Sequence, residues 1–172
     1  RCVWIAGDSI YLKDKNLYVN NHLVPLAENG KYLIEHNNQP ATFPFGKGFT
    51  FDNYGPIRVP KKGDVIPLNI TNFYEWNILI QREGHQIEKN GDMIIIDGKT
   101  ANSYTIERDY CFGLGDNRDN SLDSRAWGFI PVENVVGTPM IVYWSWDTNL
   151  PISDLIKKIT SVRWSRIGNL IN

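Results

Sequence analysis

Long apolar runs are the first thing this 172-residue chain lacks. Nothing approaches the roughly 20 uninterrupted apolar residues needed to cross a bilayer, so no membrane-spanning helix is expected within it. Cysteine is scarce: Cys2 and Cys111 are too few for a disulfide scaffold. Histidine is scarce too, and the scattered His22, His36 and His85 disfavour a histidine-based metal site. They read as surface or turn residues without a function. An excess of one charge is also missing, with 18 Lys and Arg against 19 Asp and Glu and a net charge of -1. That balance argues against a nucleic-acid partner. No cofactor and no metal are expected. What is present is 42% apolar and 22% charged residues, enough for a packed core. The length suits one domain, or one with a small insertion. The chain opens on Arg1 without a signal peptide or acylation motif, and the expectation is a piece of something longer.

Strands and turns dominate. Val3-Trp4-Ile5-Ala6 followed by Gly7-Asp8 reads as a strand and a turn. Leu17-Tyr18-Val19, Asn20-Asn21 and His22-Leu23-Val24 predict a tight hairpin, because Asn tolerates positive φ. Met93 to Ile96, Asp97-Gly98 and Lys99-Thr100 predict another. Between them Pro and Gly punctuate too often for long helices, although Asn72 to Arg82 has room for two or three turns. This stretch reads as an inserted β-rich subdomain, with the middle of one continuous β fold as the alternative. Ser103 to Ile106 and Tyr110 to Leu114 read as strands. Near the end, Ser153 as N-cap and Leu155, Ile156, Ile159 and Val162 at helical spacing predict a helix. Lys157, Lys158, Arg163 and Arg166 lie on its other face beside Trp164, which fits either a membrane-surface segment or an ordinary packed helix. Tyr143-Trp144-Ser145-Trp146 reads as core and edge packing.

One segment departs from this background. Gly115 to Arg125 holds three Asp, two Asn, two Ser and two Arg in eleven residues. It is a solvated loop, a cation loop or a hydrogen-bonded scaffold. A calcium loop needs oxygen ligands at positions 1, 3 and 5, Gly at 6 and Glu at 12. Counting from Asp116 puts Arg118 at position 3, and counting from Asp119 puts Ser124 at 6 and Ile130 at 12. Both fail, and the arginines would repel a cation. Asp and Arg paired bidentately under Trp127-Gly128-Phe129 make the scaffold reading natural, although a purely structural ion-pair loop has the same composition.

The run Gly115-Asp116-Asn117-Arg118-Asp119-Asn120-Ser121-Leu122-Asp123-Ser124-Arg125-Ala126-Trp127-Gly128-Phe129-Ile130-Pro131 resembles the most distinctive motif of bacterial type I signal peptidases. Arg1 to Asp8, an Arg, a short apolar strand and Gly-Asp, resembles the segment that follows that family's catalytic Lys. Leu17 to Asn21 resembles its hairpin, and Phe43 to Leu68 resembles the insertion of larger, Bacteroidetes-type members. The likeness covers about residues 1–25 and 92–147.

That resemblance implies a membrane-bound serine endopeptidase, a hydrolase that removes signal peptides from exported preproteins at the outer, periplasmic face of the bacterial cytoplasmic membrane. Its Ser nucleophile works with a Lys base, whose pKa must fall well below about 10.4. By motif position Ser121 would orient that amine, Asp116 would pair with Arg1, and Asp123 with Arg125 would hold the loop's shape. Asn117 and Ser124 would add hydrogen bonds. The dyad itself is not found: neither Met93 nor Met140 follows a Ser, so Ser-Met-x-Pro is missing. The Lys is expected immediately before Arg1. Aligning the Lys motif on Asn77 to Gly84 instead puts Asn77 in the Lys position, and is rejected. The expectation is therefore an inactive carboxy-terminal part of the enzyme, with a non-catalytic peptidase-like binding module as the alternative.

The expected architecture is mainly β, with antiparallel coiled sheets of the signal peptidase type. Residues 1–27 and 91–147 form the peptidase-like β domain, 28–90 the inserted β-rich subdomain, and 148–172 a C-terminal amphipathic helix. Contact with a membrane surface through 153–172 and self-association through an exposed edge strand are the partner expectations beyond signal peptides. Cys2 and Cys111 are expected as two free, buried thiols, since direct pairing needs an awkward register.

Overall fold

The computed structural model describes residues 2–28, 30–32, 41–147, 150–151 and 153–170, excepting the side chains of residues 2–4. The chain divides into two compact units, Arg1–Val135 and Val136–Asn172.

The first unit is built of short antiparallel strands. In chain order these are β1 (Cys2–Trp4), β2 (Ser9–Lys13), β3 (Asn16–Val19), β4 (His22–Val24), β5 (Tyr54–Arg58) and β6 (Val65–Pro67). After helix α1 (Phe73–Arg82) come β7 (Ile87–Asn90), β8 (Met93–Ile96), β9 (Lys99–Thr100), β10 (Ser103–Thr105) and β11 (Tyr110–Gly113). A four-residue helix α2 (Ser124–Trp127) and β12 (Ile130–Pro131) complete the unit. The sheets run β4-β3-β2-β5, β7-β8-β9, β10-β6 and β1-β11-β12. Both hairpins stand where the sequence put them. Asn20 and Asn21 have φ of 49° and 66°, and Asp97 and Gly98 have 49° and 77°, the positive pair that a two-residue turn needs to match strand twist.

One apolar core serves both the motif-bearing parts and the stretch between them. Ile10, Leu12 and Leu17 share it with Phe43, Tyr54, Ile57, Leu79 and Ile80, and with Tyr110, Phe112, Leu114 and Phe129. Strand β5 adds to β2 with Ile10 opposite Ile57, so the central stretch extends the first sheet. The longest helix is α1, not the C-terminal one. Its charges follow the dipole, with Glu75 in the first turn and Arg82 in the last. It stops because Gly84 takes φ 98°. His85 N–H then bonds the Ile80 carbonyl at 3.2 Å and Gly84 N–H that of Gln81 at 3.0 Å.

The second unit is sparser. Its helix α3 (Leu155–Thr160) has six residues, and the cap position is Asp154 rather than Ser153, without a capping bond from its side chain. The expected apolar face is not the buried one: Leu155, Ile156 and Ile159 are exposed. Lys158 and Val162 are buried instead. Lys158 Nζ donates to the Leu150 carbonyl at 2.8 Å and lies 4.9 Å from the Trp146 ring centre, so its long stem packs while its charge finds a carbonyl and a π face. Tyr143, Trp144 and Trp146 are exposed rather than core, with Trp144 edge-on to both Trp146 and Trp164. Among the described residues no helix is long and apolar enough to cross a membrane.

Candidate functional site

The polar loop leaves the buried end of β11 and folds back on itself around one carboxylate. Asp123 has the extended backbone of an N-cap at α2, and its Oδ1 accepts from Arg125 N–H at 3.2 Å. The same Oδ1 accepts from Arg125 Nε at 2.9 Å, while Oδ2 accepts from Arg125 Nη2 at 2.8 Å and from Gly115 N–H at 3.0 Å. The fork is bidentate and adds direction to charge.

Arg125 is completely buried, which is tolerable only because its donors are used. Nη1 reaches the Phe51 carbonyl at 3.0 Å, Nη2 the Arg118 carbonyl at 2.6 Å, and the guanidinium lies 4.3 Å from the Phe51 ring centre. Ser124, also fully buried, accepts from Gly113 N–H at 3.0 Å and so ties the loop to β11. Trp127 Nε1 closes the outer turn on the Leu122 carbonyl at 3.1 Å. The centre of the loop is thus a guanidinium. Among the described residues no cluster of three His, Cys, Asp or Glu is placed to hold a metal.

The remaining predicted residues lie around this hub. Ser121 is half-buried and packs directly on Gly115: a Cβ at position 115 would fall 2.0 Å from Ser121 Oγ. Only glycine permits that approach. The Ser121 hydroxyl makes no hydrogen bond to the described residues. Asn117 Oδ1 is buried without a hydrogen-bond partner among the described residues, while the Asn117 backbone bridges to Lys31. Asp116 accepts from Lys31 N–H at 2.9 Å through its carbonyl. Arg1, expected to pair with Asp116, lies outside the described residues. The backbone of β1 runs antiparallel to β11, with Cys2 opposite Gly113. Cys111 is buried, and the side chain of Cys2 is outside the described set, as is His36.

Sequence reasoning missed three groups. Glu83, at the end of α1, is buried and accepts from the hydroxyls of Tyr104 at 2.6 Å and Tyr110 at 2.9 Å and from the N–H groups of Glu107 and Arg108. Burial first, and the Glu83 carboxylate second, push both tyrosine hydroxyls far above their ordinary range. His85 is not an idle surface residue: Nδ1 lies 2.6 Å from Asp97 Oδ2 and Nε2 lies 3.0 Å from Glu107 Oε1. Those two bonds, Asp97 first, raise its pKa. Tyr54, pushed up mainly by burial and then by the charge of Asp123, has no hydrogen-bond partner for its hydroxyl among the described residues. None of these hydrogen-bonded partnerships has a local sequence signal, because the partners stand 12 to 27 residues apart.

The chain is mainly β, and its polar loop closes on a buried, bidentate Asp123–Arg125 pair. The family described as signal peptidase, peptidase S26 matches residues 1–144, and the chain belongs to that family. It is similar to Signal peptidase I of Buchnera aphidicola, 40% identical with 99% of this chain and 54% of that protein covered. It is also similar to those of Rickettsia prowazekii, 32% identical over 100% and 59%, and Rickettsia bellii, 28% identical over 97% and 52%. The chain thus spans little more than half the length of these relatives. No solved structure matches.

Proposed function

We propose that this chain is the carboxy-terminal part of a membrane-bound Ser/Lys endopeptidase that cleaves signal peptides from exported preproteins, and that it supplies the support for a dyad carried by preceding residues. The observation that carries this reading is the pairing of β1 with β11 beside the loop. β1 begins with Cys2 opposite Gly113, two residues before the Gly115 on which Ser121 packs, and the Ser121 hydroxyl makes no hydrogen bond to the described residues. An amine there has a hydroxyl to orient it and buried Leu114 and Phe112 nearby to disfavour its charged form. In this reading Ser121 orients the Lys, Asp116 pairs with Arg1, and Asp123 with Arg125 fixes the loop. Asn117 and Ser124 add hydrogen bonds. Residues 28–90 are then a segment inserted between the two motif-bearing parts, enlarging their sheet.

The second unit is proposed to meet the membrane surface on the periplasmic side. The exposed Trp144, Trp164 and Ile156, with Lys157, Arg163 and Arg166 in the same unit, have the composition of an interfacial surface. Self-association through an open strand edge is the remaining partner proposal.

The test is turnover of a preprotein by residues 1–172 and by the full-length gene product. The full-length protein is expected to cleave and the 172 residues alone to be inactive. Cleavage by the 172 residues, abolished by mutating one of their serines, would overturn the assignment of the dyad. A full-length protein that binds preprotein without cleaving it is the outcome that establishes a binding module.

A further inference from the structure

A cavity of about 320 Å³ lies between the β3–β4 hairpin and the start of the polar loop, lined by Lys15, Leu17, Leu23, Leu26, Tyr32 and Arg118 among others. Its size is at the lower end of small-molecule sites. Arg118 is 5% exposed, its Nε is buried without a hydrogen-bond partner, and it makes no ion pair with the described residues. A desolvated guanidinium is costly unless its charge and donors are met. The backbone of Arg118 is nevertheless fixed on both sides: its N–H bonds the Lys31 carbonyl at 3.0 Å and its carbonyl accepts from Arg125. The side chain thus starts from an anchored backbone and is buried.

The other charges at the cavity are already engaged with one another. Lys15 Nζ lies 3.9 Å from both Asp52 and Asp119, and 5.0 Å from the Tyr32 ring centre. That leaves Arg118 as the lining cation without an acid among the described residues, in a cavity also lined by Leu17, Leu23 and Leu26. We propose that the cavity binds a small amphiphile, a carboxylate on an apolar group, with the carboxylate on Arg118 and the apolar part against Leu17, Leu23 and Leu26. Charge-assisted pairing with Arg supplies orientation, and burial of the apolar part supplies affinity. Because the Arg118 carbonyl is bonded to Arg125, an occupant would sit one residue from the hub that shapes the loop. The site stands whether or not the peptidase reading does.

The test is titration of the 172-residue chain followed by amide NMR shifts, using octanoate, octanol, and N-acetyl-Leu-Leu with a free or an amidated carboxyl end. Octanoate is expected to saturate at or below about 1 mM, with binding at least about tenfold weaker for octanol. Preference for octanoate points to a lipid-derived carboxylate and preference for the free peptide to a chain terminus; either supports the site. Arg118→Gln is expected to remove the preference of the acid over its neutral analogue. Leu23→Trp, at a position 59% exposed on the rim, is expected to weaken octanoate at least about tenfold without lowering the melting temperature. It carries the test if Arg118→Gln fails to fold. Equal binding of octanoate and octanol, no saturation by any probe, or undiminished binding in Leu23→Trp would overturn the proposal.

Discussion

Asp123 and Glu83 are both buried in the same unit, and they are stabilised by different means. Asp123 meets a guanidinium that is itself completely buried, so two charges left water together. Glu83 has no cation among its hydrogen-bond partners; two tyrosine hydroxyls and two backbone N–H groups surround it. The first arrangement fixes direction, because a fork and a carboxylate fit one way. The second fixes only position. The hub that bears the family motif is the directional one.

Replacing each carboxylate by its amide breaks the comparison most sharply. Asp123→Asn leaves Arg125 buried without its counter-charge and is expected to cost about 3–5 kcal/mol of stability in urea unfolding. Glu83→Gln keeps one acceptor oxygen but turns an NH2 toward donors, and about 1–3 kcal/mol is expected. Equal losses would mean that the guanidinium adds nothing beyond ordinary hydrogen bonding. Smaller still is Tyr110→Phe, which removes one hydroxyl from Glu83 and should cost about 1.5 kcal/mol in the same measurement.

The smallest effect is a pH slope. His85 gains two carboxylate partners on folding, and its pKa rises above the ordinary 6.5. Asp97, held by the Gln86 N–H and then by His85, falls below 3.8. A raised His contributes stability that is fully present below 6.5 and is lost as pH rises through the folded value. A lowered Asp contributes above 3.8 and loses that contribution as pH falls through its own folded value. The clasp on the β8–β9 hairpin is therefore strongest between about pH 4 and 6.5. The melting temperature of His85→Gln should approach that of the unaltered protein as pH rises from 6 to 9. A constant difference across that range would contradict the assignment.

How much of this was legible in advance depended on distance along the chain. Asn20-Asn21 and Asp97-Gly98 announce their hairpins because the turn's φ values are set by those residues. The Asp123–Arg125 pair was legible because its partners are two residues apart and the motif is long. The floor under Arg125 was not, since Phe51 comes from 74 residues away. The Glu83 cluster was not legible either, because its tyrosines lie 21 and 27 residues on. The C-terminal segment misled by its periodicity: Leu155, Ile156 and Ile159 recur at helical spacing, yet the helix has six residues and buries Lys158. Spacing shows which residues share a face, but not whether that face is covered.

The central claim is that the loop aims the Ser121 hydroxyl at an amine from the preceding residues, and Ser121→Ala in the full-length protein tests it most directly. Turnover of a preprotein should fall about a hundredfold or more while the melting temperature stays unchanged, because this hydroxyl makes no hydrogen bond to the described residues. Undiminished turnover, or a loss that follows the melting temperature, would contradict it.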